Sequence, residues 1–362
     1  MKNGIGLRRR LALDIFSKIE NERIAAHRLR TLMWECTLRC NLACRHCGSD
    51  CRADAAIPDM PAADFLRVID SITPHVNPHE VLVVLTGGEA LLRRDLEDIG
   101  RALYDRGYPW GLVTNGMLLD ERRLESLLRA GLHTATVSLD GTARTHNAMR
   151  GNGRSYERAL HALRLLAREP EIVYDAVTCA SRDTFGTLPL LRDVLVAEGV
   201  KRWRIFTVFP AGRGASDARL QLTGEEFRSL MEFIRETRRQ GRIRVSYGCE
   251  GFLGRYEGEV RDTFYACNAG VSVAGIRADG AISGCTSIRA GYTQGNIYTD
   301  DFMTIWNDRF GPYRDREWMR RDECATCRVF RYCRGNGMHL RDDEGRLLVC
   351  HYRKLQSSEH GI

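Results

Sequence analysis

Short apolar runs alternate with amphipathic helical stretches six times between residue 31 and about residue 210, and this rhythm limits the possible fold most. Val81-Leu82-Val83-Val84-Leu85 has no polar break, as a strand buried on both faces requires. Further strands are predicted at 32–34, 110–114, 134–139, 172–178 and 203–208. Helical patterns lie between them near 62–72, 94–106, 121–130, 154–168 and 185–198, the first entered through Pro61. Such units build parallel sheets with right-handed crossovers. Six units are too few for a closed eight-fold barrel. A doubly wound open sheet and an open six-unit barrel are both compatible with the rhythm. In either, chemistry belongs at the C-terminal ends of the strands.

The first strand runs into Cys40-Asn41-Leu42-Ala43-Cys44-Arg45-His46-Cys47, a C-x3-C-x2-C loop with three thiols. The chain of 362 residues holds 13 cysteines. Residues 1–30 read as an amphipathic helix with Leu7, Leu11, Ile15 and Ile19 on one face, too broken by charge for a signal peptide. Without secretion, clustered cysteines point to metal or redox chemistry rather than disulfides. One group is Cys36, Cys40, Cys44, Cys47 and Cys51; another is Cys324, Cys327, Cys333 and Cys350; Cys179, Cys249, Cys267 and Cys285 lie between. Structural zinc takes four donors, and Cys36, Cys51 or His46 could complete such a set. Iron–sulfur cubanes usually take four thiolates as well. A compact loop of three suggests one iron kept open for a group other than protein.

Composition narrows the rest. With 43% hydrophobic and 28% charged residues the chain is an ordinary globular protein. The net charge of +7 is carried by arginine, lysine occurring only at 2, 18, 201 and 354. Spread arginine reads as helix surface, and no aromatic-interleaved basic run suggests nucleic-acid binding. No window reaches the roughly 18 apolar residues of a membrane span. A cytoplasmic location is expected.

Polar motifs follow the predicted strands. Thr86-Gly87-Gly88-Glu89 ends the second, Thr114-Asn115-Gly116 the third and Ser138-Leu139-Asp140-Gly141 the fourth, with Met149-Arg150-Gly151 further on. Each alone is commonly a turn; in series they mark a ligand edge. With the cysteine loop they make residues 31–210 resemble the radical S-adenosylmethionine (SAM) superfamily. That resemblance implies an open, partial, six-unit β/α TIM-like barrel. It also implies a 4Fe–4S cluster on Cys40, Cys44 and Cys47, with SAM on the open iron. The amino group of SAM would meet Gly87, Gly88 and Glu89, although Ala90 stands where the family usually has proline. Thr114, Asn115, Ser138 and Arg150 would face its ribose and carboxylate, and His46 its adenine. The chemistry implied is reductive cleavage to methionine and a 5′-deoxyadenosyl radical, fed by a reducing partner such as flavodoxin or ferredoxin.

Near the C-terminus, Cys324-x2-Cys327-x5-Cys333 with Cys350 offers four thiolates, for which a zinc ribbon is the plain alternative. Upstream stands Cys267-x12-Gly280-x4-Cys285. Together they resemble the SPASM extension, a small Cys-rich iron–sulfur domain. The resemblance implies an auxiliary 4Fe–4S cluster on Cys324, Cys327, Cys333 and Cys350. A second auxiliary cluster would use Cys267 and Cys285, with Cys249 as third ligand. The family's usual run would place a cysteine where Gly337 stands, leaving that position to substrate, His339 or water, or pointing to a 2Fe–2S form.

The expected organisation is an N-terminal helix over 1–30, the barrel over 31–215, a linking helix over 216–240, the cluster domain over 241–355 and a tail over 356–362. The activity expected is oxidative modification of a peptide or protein, with Glu250, Tyr247 and Asp262 as candidate substrate contacts. One alternative applies the same machinery to a small molecule or tetrapyrrole. Another is peptide epimerisation, with Cys179 returning a hydrogen atom. A cluster-bearing electron carrier without enzymatic activity is disfavoured, because a carrier has no use for a cosubstrate site. Some 30 residues before the first strand leave no room for a winged leader-binding domain, so a separate partner would deliver a leader peptide. Thr286 stands where sulfatase-maturating relatives carry a catalytic aspartate, which argues against formylglycine formation. Trp34-Glu35-Cys36-Thr37, His46-Cys47-Gly48-Ser49-Asp50-Cys51 and Tyr247-Gly248-Cys249-Glu250-Gly251 resemble a SPASM subgroup associated with bacterial lipoproteins.

Overall fold

The computed structural model describes residues 5–356; the start of the expected N-terminal helix (1–4) and the expected tail from 357 onward lie outside them. After α1 (Leu7–Ala26) the chain alternates β1 (Thr31–Thr37), α2 (Ala62–Ile72), β2 (Leu82–Gly87), α3 (Leu96–Asp105), β3 (Trp110–Thr114), α4 (Glu121–Arg129) and β4 (Leu132–Ser138). Two helices then precede each of the next strands: α5 (Ala143–Arg150) and α6 (Ser155–Arg168) before β5 (Val173–Ala180), α7 (Arg182–Phe185) and α8 (Leu188–Ala197) before β6 (Arg202–Thr207). These six parallel strands are the six that the rhythm implied, in the open barrel that the family resemblance implied.

The sheet continues beyond them. Helix α9 (Gly224–Gln240) is closed at its start by a Thr223/Glu226 capping box and ended by Gly241 in the left-handed region. It leads to β7 (Arg244–Tyr247), parallel to β6. At the opposite edge β8 (Val273–Ile276) runs parallel to β1, and β9 (Ala281–Ser283) and β10 (Gly295–Asn296) continue it as antiparallel strands. The order is β10-β9-β8-β1-β2-β3-β4-β5-β6-β7, and the sheet is not closed. The segment expected as a separate cluster domain thus supplies strands to both edges of the barrel sheet.

Alternation sorts the side chains. Trp34 stacks face to face on Phe65 at 4.0 Å between centroids, and Trp203 donates to the Thr178 hydroxyl at 2.8 Å, both under the helical layer. The other face of β4–β6 carries Thr136, Ser138, Asp175, Val177, Cys179, Arg204 and Phe206, which the two-residue period turns into the barrel interior. Asp175 binds Arg204 there and accepts from Thr136 at 2.7 Å.

Helix α1 reverses its expected orientation. The Leu7, Leu11, Ile15 and Ile19 stripe is 85%, 62%, 54% and 49% exposed, while Leu13 and Glu20 are buried. Polar anchors decide the face. Arg9 pairs with Glu259, Asp14 accepts from Tyr332 at 2.8 Å, and Arg23 donates to Asn268 at 2.8 Å. Among the described residues no helix is long and apolar enough to cross a membrane. Replacing Leu13 by Ala should therefore lower the thermal midpoint of the apoprotein, with a cost of about 2–5 kcal/mol. Leu11→Gln should stay within about 0.5 kcal/mol; the reverse order in a thermal melt would put the stripe inside.

Candidate active site

The first cysteine loop is clamped from three sides. Its backbone pairs Cys40 N–H with Arg52 O at 2.9 Å, and Arg45 N–H with Met149 O at 2.9 Å. Gly88 and Glu89 donate their N–H groups to Thr37 O and Arg39 O at 2.8 and 2.9 Å. The approach is too close for side chains. A Cβ on Gly87, which has φ +130°, would lie 2.0 Å from Thr37 O, and one on Gly88 would lie 2.2 Å from Arg39 O. From the other side Gly212 and Arg213 close in, with Arg213 N–H on Cys47 O at 2.9 Å and its guanidinium on Cys44 O at 2.8 Å.

Glu89 is fully buried, and its carboxylate accepts from the Thr114 hydroxyl, Asn115 N–H and Leu91 N–H at 2.7, 2.8 and 3.2 Å. Burial raises its pKa, which these donors oppose. The Asn115 amide in turn reaches Asn41 at 2.8 Å and lies 3.9 Å from the Cys40 sulfur. Glu89 thereby fixes the third strand end against the cysteine loop.

Asp140 is the hub that motif reading left unassigned. Completely buried, it accepts from Arg150 Nε at 2.6 Å and Cys179 N–H at 3.0 Å, and faces His46 Nε2 at 3.6 Å. Burial alone would raise its pKa; the charges of Arg150, His46 and His146 hold it far below the carboxylate range. Arg150 spans the gap to Cys44, with its Nη1 3.7 Å from the sulfur. Helix α5 explains the twelve-residue spacing, since it turns the chain back beneath Asp140. Burial pulls the His46 imidazole down to about 4, with Asp140 opposing and Arg150 acting in the same direction as burial. Its Nδ1 is buried without a partner. Ser138 ends β4, half-buried on the same face.

Cys40 is pushed up to about 11 by burial and by the neighbouring thiolates. Cys51 lies against Cys47 and donates to it, holding Cys47 well below the usual thiol range. Cys179 is half-buried beside Met149, Val208 and Leu220. Its thiol is raised by burial, then by Asp140 and Glu250, and it also feels Cys44, so it faces the interior onto which the first loop opens.

The remaining cysteines form two sets. Cys249, accessible to water yet enclosed by protein, is pushed up to about 12 by burial and by the charges of Cys285 and Cys267. Ser287 N–H reaches the Cys285 sulfur at 3.5 Å, and Arg316 holds Cys267 below its usual range against burial. In the other set burial raises Cys333, with Cys350, Cys324 and Cys327 adding repulsion, and Arg341 reaches the Cys324 sulfur at 3.6 Å. Gly337 is crowded, since a Cβ there would lie 2.8 Å from the His339 ring and 3.0 Å from Glu250 O. The place of the expected cysteine is thus taken by packing between the two regions.

The substrate-contact candidates separate. Glu250 is buried and accepts from Thr207 N–H and its hydroxyl at 3.0 and 2.8 Å, from Tyr247 and, at 3.6 Å, His351. Those donors hold its pKa down against burial. Glu250 and Tyr247 are committed to one another, tying β6 and β7 to the helix at His351–Gln356. Asp262 stands away from the interior, on the surface, paired with Arg238 and Arg244 at 2.8 and 2.7 Å. Sequence reasoning also passed over Glu35, buried at the end of β1, which accepts from Arg289 at 2.5 Å. Arg289 binds Ser49 as well and so joins the first loop to the C-terminal region. A glutamate inside an apolar strand was its only signal.

This arrangement of an open parallel barrel, a three-thiol loop at its strand ends and two further thiol sets defines an iron–sulfur enzyme. Residues 34–176 match the family model of the radical SAM superfamily, and 267–329 match SPASM, an iron-sulfur cluster-binding domain. The chain belongs to the radical SAM superfamily and carries a C-terminal SPASM domain. It is similar to the AdoMet-dependent heme synthase of Methanosarcina barkeri, 26% identical over 84% of this chain and 90% of that protein. It is also similar to the PqqA peptide cyclase of Rhizobium meliloti, 24% identical over 86% of this chain and 84% of that one. The structure of native anSMEcpe with bound AdoMet superposes with a TM-score of 0.70 at 18% identity, covering 91% of this chain and 95% of that one. The cofactors are SAM, the 4Fe–4S cluster of the SAM site and SPASM iron–sulfur.

Two substitutions check the clamp and the hub. Gly88→Ala should displace the cysteine loop and lose about four irons per chain on reconstitution, read by iron analysis against unchanged circular dichroism. Asp140→Asn leaves the Arg150 charge buried and uncompensated, so the apoprotein should lose about 3–5 kcal/mol in thermal melts.

Proposed function

We propose that Cys40, Cys44 and Cys47 hold the SAM-site cluster, and that the enzyme oxidatively modifies a peptide or protein segment bound in the barrel interior. Cys324, Cys327, Cys333 and Cys350 hold one auxiliary cluster, and Cys249, Cys267 and Cys285 hold another. The donor chemistry fits. Among the described residues no three His, Cys, Asp or Glu side chains close on a point as a single ion needs, yet the thiols of each set act on one another's charge. Sets of three or four mutually interacting thiols are the donors that an iron–sulfur cluster takes. The partnerless His46 Nδ1 at the first loop is a further polar atom aimed at a ligand.

When bound, the SAM-site cluster supplies the electron that cleaves SAM to methionine and a 5′-deoxyadenosyl radical. The chain's part is placement. Gly87, Gly88 and Glu89 present the strand-end edge to the ammonium group, with Thr114 and Asn115 held by Glu89 beside it. Ser138 and Arg150 face the ribose and carboxylate, Arg150 aimed by Asp140. His46, neutral through burial, offers a flat face to adenine. The barrel interior shields the radical and orients the C–H bond that loses its hydrogen atom.

The observation that carries this reading is that Cys179 binds Asp140 through its backbone N–H at 3.0 Å, while its strand pairs with β6, whose Thr207 donates to Glu250. One interior therefore joins the SAM edge to the element bearing Cys249. The relative named PqqA peptide cyclase, matched over most of its length, supports a peptide substrate. A tetrapyrrole is the second reading, favoured by the heme synthase relative matched over 90% of its length.

Reconstituted protein reduced with dithionite should release 5′-deoxyadenosine from SAM, and Cys40→Ala should abolish this while keeping the auxiliary irons. Iron should saturate near 12 per chain for three cubanes and near 8 for two, at four per cubane; saturation at 8 removes the Cys249 set. Mass spectrometry of small proteins encoded beside the gene, coexpressed with and without it, reads the substrate. Loss of two hydrogens supports oxidative modification of a peptide. Unchanged mass with deuterium taken from solvent supports epimerisation through Cys179, and carbon dioxide lost from an added iron porphyrin supports the tetrapyrrole.

A further inference from the structure

Tyr265 is 4% exposed, and among the described residues it is the only buried tyrosine whose hydroxyl has no hydrogen-bond partner. Nearby tyrosines show the contrast. Tyr313 donates to Tyr292 O at 2.7 Å, Tyr256 to Glu232 at 2.6 Å, and Tyr247 to Glu250. An unpaired buried hydroxyl costs about 1–3 kcal/mol, and phenylalanine would fill the same space without that cost.

The residue is held in place firmly. Its backbone N–H donates to the buried Glu257 carboxylate at 2.7 Å, and the Arg261 guanidinium lies 5.5 Å from the ring centroid. Tyr265 belongs to a small buried cluster against which Cys267, Cys327 and Cys333 pack. Tyr265 also lines, with Cys267, Cys333 and Arg316, a cavity of about 70 Å³ beneath α1. Tyr265 therefore stands between the two auxiliary thiol sets, two residues before Cys267 in the chain.

We propose that the Tyr265 hydroxyl donates a hydrogen bond to a sulfur of the cluster on Cys249, Cys267 and Cys285, and thereby keeps that cluster's reduction potential high. The inference rests on the ligand assignment under Proposed function. A donor at sulfur stabilises the extra negative charge that arrives on reduction, so hydrogen bonds to the sulfurs raise the potential. A raised potential suits a cluster that takes one electron from a substrate radical as the radical loses a proton, the cluster being reduced and the substrate oxidised. Tyr265 is then a positioning and tuning residue that never touches substrate.

The test is a redox titration of reconstituted Tyr265→Phe followed by electron paramagnetic resonance. One auxiliary signal should move to lower potential. At a fixed poise its reduced-to-oxidised ratio should fall about tenfold, or about 59 mV for one electron. The SAM-site signal and the iron content should not change. An unmoved auxiliary potential overturns the proposal, and so does an equal shift of every signal. Cys285→Ala separates the underlying assignment: it should delete the signal that Tyr265→Phe moves, with its iron. If Cys285→Ala loses no iron, the ligand set is wrong and the hydroxyl has no cluster to serve.

Discussion

The buried ion pair of Asp140 and Arg150 organises the catalytic end of the barrel. One carboxylate, with no exposure to water, receives Arg150 from α5 and the Cys179 amide from β5, and faces His46 in the cysteine loop. A buried pair of this kind is weak as a source of stability, because desolvation offsets much of the attraction. Its value is geometric. Arg150 cannot relax into solvent, so its far end is directed at the Cys44 sulfur. The network locks an arginine, a histidine and a strand end in one arrangement before any ligand arrives.

A second constraint joins the two halves of the molecule. Because β8 pairs with β1 and β7 with β6, the auxiliary thiols are carried on strands and loops continuous with the barrel sheet. Glu35 with Arg289 spans one seam, and Glu250 with Tyr247, Thr207 and His351 the other. Both are buried carboxylates that would be costly to leave unpaired. The first cysteine loop and the two further thiol sets are thereby placed relative to one another by a shared sheet, not by a flexible linker.

The barrel was legible in the chain because burial on both faces leaves an unmistakable pattern, as at Val81–Leu85, and because turns and caps fall between the runs. The cysteine loop and the glycines beside it were legible for a similar reason: few other residue types survive such close backbone approach. What escaped was set by partners distant in sequence. Helix α1 shows apolar periodicity, yet an ion pair and hydrogen bonds with residues some 245–320 positions away turn that stripe outward. Asp140 and Glu35 look like turn and strand residues until the elements that surround them are assembled. Glu250 reads as a substrate contact in isolation and becomes a strut once Thr207 and His351 are placed beside it.

The same long-range logic changes the meaning of the arginines. Spread along the chain they read as solvated helix surface, yet Arg150, Arg316 and Arg341 are buried, one beside each thiol set. Three or four thiolates gathered in a low dielectric repel one another, and a cluster that they hold keeps a net negative charge. A guanidinium offsets that charge and cannot lose its proton there, whereas a buried lysine would shed its own. The scarcity of lysine and the abundance of arginine therefore belong partly to the clusters. That balance bears on the first cysteine loop too: Arg150 stands against the Cys44 sulfur, where the charge of the gathered thiols must be met.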